Sequence, residues 1–104
     1  MISRNWKGVV KPEEADNYIT HLKTVTFPQL AEIKGFIKAS ILKKETTDGV
    51  EFTIVTEWET MRAIKEFAGE KPELAVVPEK IKAMMVEYDK TVDHYEIVYR
   101  VLNI

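Results

Sequence analysis

The chain has 104 residues, 45% apolar and 31% charged, a size and mixture that suit a single domain over residues 1–104 and exclude disorder and collagen-like repeats. Fifteen Lys and Arg against seventeen Asp and Glu give a net charge of −2, so no broad basic field is present and nucleic acid is not an expected partner. Cysteine is absent, which rules out disulfides, thiolate nucleophiles and iron–sulfur clusters, and no apolar stretch approaches the ~20 residues of a membrane helix, so a cytoplasmic protein without membrane attachment is expected.

Residues 2–9, short and containing Trp6, read as a first strand. Pro12, Glu13 and Glu14 suit the first turn of a helix, and Ala15, Tyr18, Ile19 and Leu22 form its apolar stripe, so a helix is expected over 12–23. Pro28 and Gly35 make 24–35 an irregular connector whose Phe27, Leu30 and Ile33 still face the core. Two strands follow, over 36–44 and 50–58, joined by the Asp48-Gly49 turn signal into a hairpin. Met61, Ile64, Phe67 and Ala68 mark a second helix over 59–68 that stops at Gly69. Pro72 and Pro78 each suit the start of a short helical segment, the second placing Ile81, Met84 and Met85 on one side, and 91–102 returns to strand chemistry.

The order of elements predicts an α+β domain of the ferredoxin-like split βαβ plan, with a four-stranded antiparallel sheet and its helices on one face. Val50, Phe52, Ile54 and Trp58 share one side of their strand, Tyr95, Ile97, Tyr99 and Val101 one side of the last, and apolar residues occupy both sides of the strand over 36–44. One helical layer covers one face, so a second copy of the chain is the expected cover of the other; the competing arrangement folds the connector and the tail from Arg100 back over it.

Three stretches resemble the antibiotic-biosynthesis-monooxygenase family: Arg4-Asn5-Trp6-Lys7-Gly8, Thr56-Glu57-Trp58-Glu59 with Ile64-Lys65-Glu66-Phe67-Ala68-Gly69-Glu70, and His94-Tyr95-Glu96-Ile97. The resemblance implies a dimeric α/β barrel and a cofactor-independent monooxygenase acting on a small hydrophobic, aromatic or quinol-like molecule. The alternative on the same fold is a non-catalytic dimeric ligand-binding or interaction module. Heme-degrading members carry an Asn on the first strand, a Trp on the second helix and an axial His beyond it. Here Asn5 matches, but Phe67 and Val77 stand at the other two places, and valine has no lone pair to offer iron. His21 and His94 have no partners at metal-ligand spacing, and the four glycines build no phosphate cradle, so no metal or other cofactor is expected.

Asn5 is a candidate catalytic residue because its amide matches the family position and suits an oxyanion donor. His94 is the candidate base, with Glu96 on its face to set its protonation; the competing reading is a structural or dimer-contact histidine. Trp58 and Phe67 are expected at a substrate-cavity wall or in the core, and Tyr95 to bind substrate or pack with its hydroxyl on a partner. Arg4 and Trp6, on the strand face opposite Asn5, are expected at the dimer seam, with Arg4 paired to Glu51, Glu57 or Asp93.

Overall fold

The computed structural model describes residues 1–103. The central strand β1 (Ile2–Val10) pairs antiparallel along its whole length with β3 (Val50–Trp58), from Ile2 opposite Trp58 to Val10 opposite Val50. β2 (Phe36–Glu45) lies outside β3, and the expected turn joins them, Thr46 donating both its N–H and its hydroxyl to the Gly49 carbonyl. The other edge of β1 is shared by two short strands, β4 (Met85–Tyr88) beside Gly8 to Val10 and β5 (Asp93–Glu96) beside Ile2 to Asn5. The fold is thus the expected α+β, ferredoxin-like antiparallel sheet, and no helix among the described residues is long and apolar enough to cross a membrane.

The C-terminal expectation is corrected in two ways. The strand expected over 91–102 is confined to β5, and a strand that was not expected, β4, precedes it, opened by Met85 instead of Met85 extending a helical face. β5 also stops early: after Glu96 only the Ile97 N–H finds a partner, the Met1 carbonyl, because β1 has no backbone left to offer beyond its own start. Residues 97–103 therefore have no regular structure here. No helix starts at Pro72, whereas α4 (Glu79–Lys82) does follow Pro78.

The helical layer also runs further than periodicity indicates. A 3₁₀ turn (Pro12–Glu14) leads into α1 (Ala15–His21), which continues through a π-helical turn (Leu22–Thr26) into α2 (Phe27–Ala31), so most of the presumed connector is helix. Pro28 falls in the first turn of α2, where a missing N–H is tolerated, and the wide turn before it is closed by the Phe27 N–H reaching back to Leu22. α3 (Met61–Ala68) begins at Thr60, whose hydroxyl accepts from the Ala63 N–H at 3.2 Å, and ends at Gly69 with φ 85°.

Along β1 and β3 the helix-facing side carries Trp6, Gly8, Val10, Val50, Phe52 and Ile54, which meet Tyr18, Leu22 and Ile81 in one core cluster. A second cluster joins Trp58 to Leu30, Ala63 and Ile64. The opposite face of these two strands is mostly polar: Ser3, Asn5 and Lys7 beside Glu51, Thr53, Val55 and Glu57. The apolar residues on both sides of β2 have a local cause. A bulge between Phe36 and Lys38 switches the alternation, so Phe36 packs on Trp58 and Ile41 on the first cluster, both toward the helices. The expectation of two fully apolar sheet faces is corrected accordingly.

Candidate functional site

Between the two core clusters, under the helical layer, lies a cavity of about 90 Å³. Its walls are apolar, with Trp6, Phe27, Leu30, Phe67, Val77, Ile81 and Val92 among them, and its polar lining is Arg4, Tyr18, His21, Thr26 and Thr56. Strand alternation brings Arg4, Trp6, Ile54 and Thr56 to this side, and the i, i+3 spacing of Tyr18 and His21 puts both on the inner face of α1. Gly8 makes the room: a Cβ there would sit 2.7 Å from the Trp6 ring, whose N–H donates to the Asp89 carbonyl at 2.7 Å.

Arg4 is the most constrained polar group of the cavity, with only 5% of its surface exposed. Its NH1 donates to the Pro72 carbonyl and to Nε2 of His94 at 2.9 Å, its NH2 to the Leu74 carbonyl at 3.2 Å, and its Cζ lies 5.9 Å from the centre of the Phe67 ring. A guanidinium only donates, so His94 Nε2 accepts and the imidazole is neutral with its proton on Nδ1. Burial pulls the guanidinium down to about 10, still cationic at neutral pH. No carboxylate pairs with it among the described residues. Glu57, one of the partners expected for it, instead pairs with Lys38 at 3.2 Å and with Arg100. Arg4 and Trp6 are thus on the helical side of the sheet, and their expected place at a dimer seam is corrected.

The other cavity groups are tuned by burial. The Tyr18 phenol, 2% exposed, is pushed well above its usual range by burial and stays protonated. His21 is lowered by burial and then by the charge of Lys80, which keeps it neutral and able to accept a proton. Thr56 is held by a relay in which the Trp58 indole N–H donates to its Oγ1 at 2.8 Å and that hydroxyl reaches the Arg4 carbonyl at 3.4 Å.

Of the residues singled out from the sequence, Phe67 lines the cavity and Trp58 lies behind it, fully buried, their rings near parallel at 6.4 Å. His94 is opposite Arg4 in the β1–β5 register and meets the guanidinium instead of the cavity; burial lowers it first, then the charge of Arg4, against the opposing pull of Asp93 and Glu73. Asn5 and Tyr95 are on the far side of the sheet. The Asn5 Oδ1 accepts from the Ser3 hydroxyl at 3.0 Å, and Tyr95, opposite Ser3, is 55% exposed. Sequence reasoning missed Arg4, Tyr18, His21 and Thr56 as cavity residues, although strand parity with Val10 and helical spacing from Tyr18 were the available signals.

Val77 and Phe67 both line this cavity. A porphyrin does not fit these residues: position 77 has no lone pair for iron, and a volume of about 90 Å³ is below the roughly 150 Å³ of an apolar cavity that holds benzene. Among the described residues no group of three His, Asp or Glu is placed to hold a metal.

An antiparallel sheet with one helical layer and a small, mainly apolar cavity beside a buried cation define a ferredoxin-like α+β protein. The chain belongs to the antibiotic biosynthesis monooxygenase family, whose model matches residues 1–77. No curated protein matches the sequence. Similar solved structures include a protein of Bacillus cereus assigned as an antibiotic biosynthesis monooxygenase, at 17% identity and TM-score 0.66 over 99% of this chain and 96% of that one. A monooxygenase from the gene ActVA-Orf6 of Streptomyces coelicolor, in complex with nanaomycin D, matches at 17% identity and TM-score 0.66 over 98% and 91%. A dimeric ferredoxin-like protein from an uncultured marine organism matches at 15% identity and TM-score 0.60 over 98% and 97%.

Proposed function

We propose that the protein is a cytoplasmic, cofactor-independent monooxygenase that takes a small hydrophobic, aromatic or quinol-like molecule into the cavity under its helical layer. The observation that carries this reading is the cavity itself: apolar walls around a neutral imidazole and a protonated phenol, in a chain of the monooxygenase family. An electron-rich substrate serves as its own reductant. A base removes a proton, the carbanion or phenolate gives its electrons to dioxygen, one oxygen atom enters the substrate, and the other leaves as water with two substrate protons.

In this reading His21 accepts the proton, and Tyr18 donates to the oxyanion that develops. His94, engaged by Arg4, acts as a positioning residue, and Asn5, on the far face, acts where two subunits meet. The partner is a second copy of this chain. Its support is the exposed apolar tail, Val98, Tyr99, Val101 and Leu102 at 87%, 82%, 74% and 65% exposure, together with a similar fold described as dimeric.

Oxygen uptake with a panel of quinols and hydroxyanthrones tests the reading. Tyr18→Phe should lower turnover about 100-fold, the usual effect of removing one oxyanion donor, His21→Ala should lower it and remove the acid-side fall that protonation of the base produces, and Asn5→Ala should leave it unchanged. Normal rates in Tyr18→Phe and His21→Ala with a fall in Asn5→Ala would move the chemistry to the other face. Saturable binding without uptake would identify the non-catalytic ligand-binding module, a reading favoured by the inert Val77 wall.

A further inference from the structure

We propose that Arg4 is an anion-binding residue and that the natural ligand of the cavity is a compact organic monoanion, a carboxylate or phenolate carried on about one aromatic ring. This rests on the cavity being the ligand site, as argued above, and adds the charge and size of the molecule.

The charge argument starts from what surrounds the guanidinium. Its protein acceptors are two backbone carbonyls, Pro72 and Leu74, and the neutral His94 Nε2, none of which carries a net charge. The cavity lining contains no Asp or Glu. Asp93 and Glu73 act on His94 by their charge, and neither forms an ion pair with Arg4. A buried cation without a counter-ion is costly and is ordinarily paired. The carbonyls and the Phe67 ring hold the guanidinium in place without neutralising it, and only burial acts on its titration.

A guanidinium has five N–H hydrogens, and three have acceptors among the described residues, leaving two for a ligand. An oxyanion is the matching acceptor. Tyr18 supplies a further donor in the same cavity, while the remaining wall suits an apolar ring. The volume of about 90 Å³ is below the roughly 150 Å³ of an apolar cavity that holds benzene, so a single ring enters only as the helical layer gives way, and larger ring systems need a larger movement. A carboxylate on a single ring is the smallest aromatic ligand that meets the charge requirement.

The test is binding by titration calorimetry with benzoate and with benzamide, its neutral counterpart of the same shape, without any oxygen chemistry. Wild type should bind benzoate at least 10-fold more tightly than benzamide. Arg4→Met should abolish that preference while still binding benzamide, and Arg4→Lys should retain part of it. Val77→Phe, which fills the cavity and leaves Arg4 intact, should lose both ligands. The wild-type comparison stands even if an Arg4 variant fails to fold. Equal affinity for the two ligands, no binding of benzoate, or benzoate binding that survives Val77→Phe would each overturn the proposal. An anion preference without oxygen uptake would retain this inference and sink the monooxygenase reading, whereas uptake with only neutral quinols would do the reverse.

Discussion

Arg4 and His94 meet across β1 and β5 in register, and the contact fixes the state of the imidazole. Protonated His94 would present a second donor to a guanidinium that has nothing to accept with. Both histidines are held below their usual range, His94 mainly by burial and Arg4, His21 by burial and Lys80. A group whose folded pKa lies below its unfolded value of about 6.5 contributes stability above that value and loses it as pH falls through the folded pKa. Urea unfolding followed from about pH 7.5 to pH 5 should therefore show stability falling on the acid side of 6.5. His94→Gln keeps an acceptor near the Nε2 position and does not titrate, so its profile should be flatter. A His94→Gln profile as steep as wild type would show that the Arg4 contact is not its source.

At the scale of elements, the bulge in β2 and the π turn between α1 and α2 each place apolar residues where plain periodicity does not. The extra residue near Ile37 turns Phe36 toward Trp58, with ring centroids 5.2 Å apart and an edge-on angle of 71°. Because Lys38 already pairs with Glu57, deleting Ile37 would leave Phe36 opposite Trp58, and Phe36→Ala is the change that removes the contact. The expected loss is about 2 kcal/mol, the scale of burying one large apolar side chain, read from the urea midpoint; unchanged stability would mean that the Phe36–Trp58 contact contributes nothing to the fold. The π turn extends the helical layer over Leu22, Phe27 and Leu30, all lining the cavity, so an element that composition marks as a connector builds its roof.

For the whole molecule, the most exposed apolar side chains are those of the tail, with Met1, Val25, Leu42, Leu74, Val76, Val86 and Tyr95 exposed elsewhere, while the sheet face opposite the helices is mainly polar along β1 and β3. Arg100 already reaches Glu57 on that face, so the tail partly follows the fold-back course weighed from the sequence, yet Val98, Tyr99, Val101 and Leu102 stay uncovered. Removing residues 97–104 should convert a dimer to a monomer by light scattering at micromolar concentration while leaving the cavity and its benzoate affinity in place. A full-length chain that is monomeric, or a truncated one that stays dimeric, would reject the tail as the subunit contact.

The sequence by itself determined the fold class, β1 to β3, the hairpin turn at Asp48-Gly49 and α3 with its Gly69 stop, because local periodicity and turn chemistry are written in adjacent residues. It also singled out Phe67 and Trp58 for a cavity wall or the core and marked Val77 as inert toward iron. Tertiary structure decided the rest. Alternation shows that Arg4 and Trp6 share a face opposite Asn5, but which face the helices cover depends on packing between elements far apart in the chain, and the assignment from sequence came out inverted. The additional strand β4 and the early end of β5 were illegible for a related reason: a strand forms and ends where its partner's free hydrogen-bonding groups do, and those belong to β1, at the other end of the chain. The same holds for the charge of Arg4, whose meaning came from the carboxylates that the folded chain keeps away from it.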